Sequence, residues 1–231
     1  KKTTIKIYAK HYFLSAGPIH TPIILRNSGI RKNIGNNLMF HHNIKFIVDY
    51  GKSIKSQVGT MFNRQVQEFI QSKNFILMAT NYRRNLLASA LESKSEMFQS
   101  FMSKYDNLAL YTAQIRSLGL GRVRNFFGLG PLVRYKFNQQ DLTSFKHAMR
   151  ESVKLFFDAG AQSVILPIKK NYHIQSLEAY EAIESQIKIS DLEMVSVHAM
   201  ASCPMGDSPN SPVDWHGKLK SANNIYLADA S

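Results

Sequence analysis

The stretch from Asn138 to Gly160 limits this chain's fold more than any other. Asn138 suits a helix N-cap and Asp141 falls in the first turn. Leu142, Phe145, Met149, Val153, Phe156 and Phe157 then recur mostly at steps of three or four, and Gly160 closes the run. A helix with so wide an apolar seam must lie on another apolar surface, and short strand candidates precede it. Asn107 to Ile115, Val123 to Phe127 and Leu132 to Phe137 are separated by Gly-bearing turns, which implies antiparallel pairing. Asn43 to Tyr50 and Phe75 to Thr80 read as further strands. Arg84 to Ser103 carries apolar residues at helical spacing, Ser163 to Ile168 reads as a strand, and Ile174 to Ile187 as a helix or a pair of turns. The fold class is α/β, in the α+β sense of an antiparallel sheet backed by helices.

Toward the N-terminus, Ile5 to Ser15 alternates loosely and reads as one or two strands ending at Ala16-Gly17-Pro18. Thr21-Pro22 then opens a short helix, Ile23 to Asn27, with Thr21 as N-cap, and Ser28-Gly29 closes it. A strand, a Gly turn and a helix N-terminus together expose backbone N–H groups to an anion such as a nucleotide phosphate. The 44% hydrophobic and 11% aromatic content is globular. The net charge of +13 alone would suggest an acidic partner, but the basic residues are scattered and no nucleic-acid motif spacing occurs. The single cysteine, Cys203, excludes an internal disulfide and a cysteine-rich metal site, and no metal-ligand pattern is recognised among the histidines. Runs such as Phe75–Ala79 and Val164–Ile168 are too short to span a bilayer. No signal peptide is visible, and compartment is left open between the cytoplasm and association with a membrane. Both ends read as cuts.

Two segments carry a resemblance. Gly17-Pro-Ile-His-Thr21-Pro22 runs through an aliphatic stretch into Ser28-Gly29-Ile30, and Gly35-Asn-Asn37-Leu38 and His41 follow. At the far end, His198, Ala201-Ser202, Met205-Gly206, Pro209, Val213-Asp214, Gly217 and Asn224-Ile-Tyr-Leu-Ala-Asp229-Ala230-Ser231 fall in order. Both segments are similar to signatures of the glucose–methanol–choline (GMC) oxidoreductase family. The middle run Gly128-Leu-Gly-Pro131, with Asp141 and Phe156 to Ala161, resembles the family's substrate domain. Arg31 replaces the family's closing Gly, and Pro204 stands where it has an Arg.

The resemblance implies FAD as cofactor and a CH–OH group of a small-molecule alcohol as electron donor, and it does not identify the electron acceptor. It implies His198 as catalytic proton acceptor, acting with a second residue beyond Ser231. Ser15, Ala16, Gly17, Asp229 and Ala230 would contact the flavin nucleotide. A His suits that role because an imidazole can take the hydroxyl proton while the α-hydride leaves to the flavin. The implied organisation is pieces of a Rossmann-like FAD-binding domain (1–38 and 195–231) flanking a substrate domain (39–194). No Gly-x-Gly-x-x-Gly dinucleotide fingerprint occurs in the chain, so these 231 residues alone are expected to bind FAD poorly and not to turn over. The rival reading, from charge alone, is a non-catalytic basic module for nucleic acid or an anionic surface.

Overall fold

A computed structural model describes residues 3–126, 129–170 and 172–231. In chain order the elements are β1 (Tyr12–Leu14), α1 (Gly17–Asn27), β2 (Met39–Asp49), β3 (Gln65–Val66), α2 (Phe69–Lys73) and β4 (Phe75–Thr80). Then come α3 (Arg84–Ala90), α4 (Ser95–Ser103), β5 (Leu108–Arg116), β6 (Leu120–Asn125), β7 (Pro131–Lys136) and α5 (Gln139–Asp158). The chain finishes with β8 (Ser163–Ile165), β9 (His173–Ile174), α6 (Leu177–Glu184), β10 (Val195–Met200) and β11 (Ile225–Leu227). These elements form two compact units. The first comprises 1–40, 119–136 and 198–231, and the second 41–118 and 137–197.

In the second unit a mixed-length sheet runs in the order β3-β4-β5-β2-β8-β9, with β10 also pairing β2. Every register recorded along that path is antiparallel. One face of β2 presents Ile44, Phe46 and Val48, all fully buried, to the seam of α5. Phe156 of that seam meets Phe46 edge-on at 5.4 Å and Tyr111 at 4.7 Å. The helix starts where the sequence placed it. The Asn138 side chain accepts from Asp141 N (2.8 Å), and the Asp141 carboxylate accepts from Asn138 N (2.9 Å). Asp141 also accepts from Ser117 Oγ and Leu118 N, which ties the cap to the end of β5.

Three local expectations change. The span Arg84–Ser103 is two helices, because Lys94 turns inward at the break. Its side chain is only 2% exposed, donates to Ser93 Oγ and pairs with Glu193. A buried ammonium needs such a partner, and securing it outweighs helix continuity. The expected three-strand meander is divided: β5 lies in the large sheet, while β6 and β7 form a separate hairpin that clusters with the first unit. Phe127 of the predicted strand and Gly128 of the matched run lie outside the described residues. Of the expected strand or strands Ile5–Ser15, only Tyr12–Leu14 is regular.

In the first unit, β1 and β11 form a two-stranded parallel sheet, Tyr12 opposite Ile225 and Leu14 opposite Leu227. Behind it Leu25, Ile34, Cys203, Val213, Leu219 and Leu227 make a small core. The loop after α1 is stitched to the hairpin by Val123 N to Gly35 O (2.9 Å) and by paired bonds between Leu38 and Gly121. Gly35 has φ +72°, and a Cβ there would sit 2.6 Å from Val123 O. Both the backbone angle and the close approach require glycine.

Candidate active site

Helix α1 begins at Gly17, six residues before the expected Ile23, with Pro18 rather than Pro22 near its N-terminus. Thr21 is therefore inside the helix and not its N-cap. The sequence missed this because the capping group comes from the opposite end of the chain. Asp229, two residues past β11, accepts at Oδ2 from Gly17 N (2.9 Å) and from Thr21 Oγ (2.6 Å), and at Oδ1 from Ser231 N (2.7 Å). Thr21 Oγ in turn accepts from Ala16 N at 3.2 Å. Partial burial opposes ionisation of Asp229, but the donors from Ser231, Thr21 and Gly17 outweigh it and hold the carboxyl below the usual carboxylate range.

The expectation of a phosphate at this helix N-terminus is modified accordingly. The positive end of the α1 dipole already meets a carboxylate of the protein itself. An added phosphate would face that charge, whereas a neutral polar group would not.

The segment 201–203 runs against the chain end. Ala201 N donates to Ala230 O (2.9 Å), and Cys203 N donates to Ser231 O. Ala201 has φ +61°, so the chain turns sharply just after β10, the strand that carries His198. Of the residues singled out from sequence, Ala16 and Gly17 thus meet Asp229 and its neighbour Ala230, with Ser15 next to them in the chain. His198 sits on β10, solvent-exposed, three residues before the Ala201–Ala230 bond. Thr21 is the site residue that sequence reading misassigned. The available signal was a Thr four residues after Gly17, one helical turn along the face that carries the N-terminus.

Beside these bonds lies an open depression of about 320 Å³, lined by Ala201, Cys203, Met205, Leu227, Asp229 and Ala230 among others. Its walls are mostly apolar, with Asp229 and Ser231 among them. Among the described residues the amides of Asp229 and Ala230 donate no hydrogen bond. No atom lies within 4 Å of where a Cβ on Gly17 would project. The amides of Asp229 and Ala230 are the backbone donors such a surface has to offer. Cys203 is 3% exposed, and burial pushes its thiol up to about 11, so at neutral pH it is a small apolar residue rather than a nucleophile.

Charge is distributed unevenly. The first unit holds 13 of the 29 Lys and Arg residues against three carboxylates, Asp207, Asp214 and Asp229. Asp214 and Asp229 are already bound by backbone amides. Among the described residues, all five ion pairs lie in the second unit. No group of three or more His, Cys, Asp or Glu among the described residues is arranged to hold a metal ion. No helix among them is long and apolar enough to cross a membrane.

The fold resembles that of two solved oxidases. It superposes on pyridoxine 4-oxidase from Mesorbium loti with a TM-score of 0.56 at 13% identity, over 97% of this chain and 47% of that one. Formate oxidase gives 0.55 at 13% identity, over 96% and 49%. Residues 1–43 match the N-terminal model, and residues 130–231 the C-terminal model, of the GMC oxidoreductases. The chain belongs to the GMC oxidoreductase family. Among its relatives, the GMC-type oxidoreductase y4nJ of Sinorhizobium fredii is 24% identical over 98% of this chain and 45% of its own length. The GMC-type oxidoreductase Rv0492c of Mycobacterium tuberculosis is 24% identical over 99% and 37%. The long-chain-alcohol oxidase FAO3 of Arabidopsis thaliana is 22% identical over 98% and 33%. The chain thus spans less than half the length of these relatives.

Proposed function

We propose that this chain is part of an FAD-dependent oxidoreductase that oxidises the CH–OH group of an alcohol, with His198 as proton acceptor. The single observation that carries this reading is the convergence at Asp229. Segments matched at both ends of the chain meet there through hydrogen bonds spanning more than 200 residues, from Gly17 and Thr21. Segments 1–38 and 195–231 are assigned to the flavin side, and 39–194 to the substrate side except for the 119–136 hairpin, which clusters with the first unit. Ser15, Ala16, Gly17, Asp229 and Ala230 would hold the flavin, and the amides of Asp229 and Ala230 would donate to its hydroxylated chain. Bound FAD supplies the hydride acceptor. The excess positive charge of the first unit favours an anionic dinucleotide as occupant.

The part left to the protein is proton handling and orientation. His198 accepts the hydroxyl proton, a step that makes hydride departure from the carbon feasible. The Asp229 bonds fix the turn before Ser231 and thereby the backbone donors. One relative is named a long-chain-alcohol oxidase, and one protein of similar fold a pyridoxine 4-oxidase. Anaerobic mixing of the FAD-loaded full-length protein with a panel of alcohols tests the reading. Bleaching of the flavin absorbance by at least one alcohol is expected, and a flavin that none reduces overturns it.

A further inference from the structure

The central sheet of the second unit has a face whose character changes along the strands. On the α5 side every β2 residue from Ile44 to Val48 that points that way is apolar. On the other side the row Ile47, Leu110 and Ile165 is apolar and lies under α3 and α4, with Leu87, Leu91 and Phe101. One and two rows further along, the same face carries Lys45 opposite Thr112 and Asn43 opposite Gln114. Interior positions of a central strand are costly places for a lysine and an asparagine unless something polar meets them.

Both side chains line an open cavity of about 470 Å³, walled also by Ser93, Lys94, Pro167 and Glu193. Asn43 is 8% exposed, and its Oδ1 is buried without a hydrogen-bond partner among the described residues. Glu193 is already engaged, by Lys94 and Ser93. Lys45 is half-buried and makes no hydrogen bond or ion pair among the described residues. The cavity therefore presents an unsatisfied acceptor beside an unpaired cation, with the nearby Lys94–Glu193 charges already balanced and the carboxylate of the solvent-exposed Glu92 also in its lining.

We infer that this cavity binds a small hydroxylated molecule bearing an oxyanion, its hydroxyl donating to Asn43 Oδ1 and its carboxylate or phosphate meeting Lys45. The volume is that of a small-molecule site. A long alkyl chain would leave Asn43 and Lys45 desolvated and unpaired, so the site discriminates against it. This names a substrate class for the proposed oxidase or dehydrogenase and rests on the reading of this unit as its substrate side.

The test is calorimetric titration of the full-length protein with gluconate, glycerol 3-phosphate and dodecanol, in wild type, Lys45→Met, Lys45→Arg and Asn43→Leu. Either oxyanion should bind, with an affinity loss of at least tenfold in Lys45→Met and in Asn43→Leu and retention in Lys45→Arg. Asn43→Leu should also raise Tm, because it removes a buried unpaired acceptor while keeping the side chain's bulk; binding site residues commonly trade stability in this way. Dodecanol binding more tightly than both oxyanions, or oxyanion affinity unchanged in Lys45→Met, overturns the inference. Oxyanion binding that depends on Lys45 but never reduces the flavin would sink the oxidation reading and leave the cavity assignment standing. Flavin reduction by alcohols with no dependence on Lys45 would do the reverse.

Discussion

Replacing Asp229 with Asn should unfasten the two ends of the first unit. The carboxylate accepts three hydrogen bonds, from Gly17 N, Thr21 Oγ and Ser231 N, at 2.6–2.9 Å. An amide has one acceptor oxygen, so either the Gly17–Thr21 pair or Ser231 N must then face an NH2 group, donor against donor. Loss of one charge-assisted bond costs roughly 1.5–3 kcal/mol, and loss of the charge at the α1 N-terminus about 0.3–1 kcal/mol more. Because Asp229 keeps some contact with solvent, the combined effect is taken at about 2–3 kcal/mol. For a chain of this size that is a Tm lower by roughly 2–4 °C per kcal/mol. The pH dependence fixes the sign. Asp229 titrates below its unfolded value of about 3.9, so its contribution is complete above that value and fades as pH falls through the folded pKa. Thermal unfolding of wild type and Asp229→Asn should therefore differ most near neutral pH and converge as the pH falls below the ordinary carboxylate range. Equal Tm at neutral pH, or a gap that persists undiminished in acid, would refute the assignment of Asp229 as an ionised clasp.

Cys203 should be unreactive toward a thiol reagent at pH 8 in the native protein and titrate fully on unfolding in guanidinium; rapid native labelling would contradict its burial and raised pKa. Asn138→Ala should destabilise the second unit by about 1 kcal/mol in urea unfolding, through loss of one half of the α5 capping box. Asp141→Ala should cost more, because that carboxylate also holds Ser117 and Leu118, and an order reversed between the two variants would count against the cap.

Elements whose determinants are local were legible in the sequence. The α5 cap and seam, β4 from Phe75 to Thr80, and the Gly160 stop are all decided within a few residues, and each lies where the pattern put it. The errors share a different cause. Helix α1 starts at Gly17 because Asp229, 212 residues away in sequence, supplies the anion that meets Gly17 N. The helix between Arg84 and Ser103 breaks because Lys94 reaches a glutamate 99 residues further on. The β6–β7 hairpin leaves the meander because Leu38 and Gly35 offer it backbone partners. No local periodicity encodes such contacts. The site residues were recognisable only as an ordered set of motif matches, and their meeting at Asp229 required the tertiary structure. Asn43 and Lys45 left a fainter trace, two polar residues flanking Ile44 on a central strand that also carries His41, His42 and Asp49.

His198 is proposed to take the substrate proton. The most direct measurement is the anaerobic rate of flavin reduction at saturating alcohol in wild type and His198→Ala, with FAD content and alcohol affinity measured on the same samples. A fall of roughly 10²–10⁴-fold in rate is expected, with cofactor content and affinity little changed. A rate within a few-fold of wild type would contradict it.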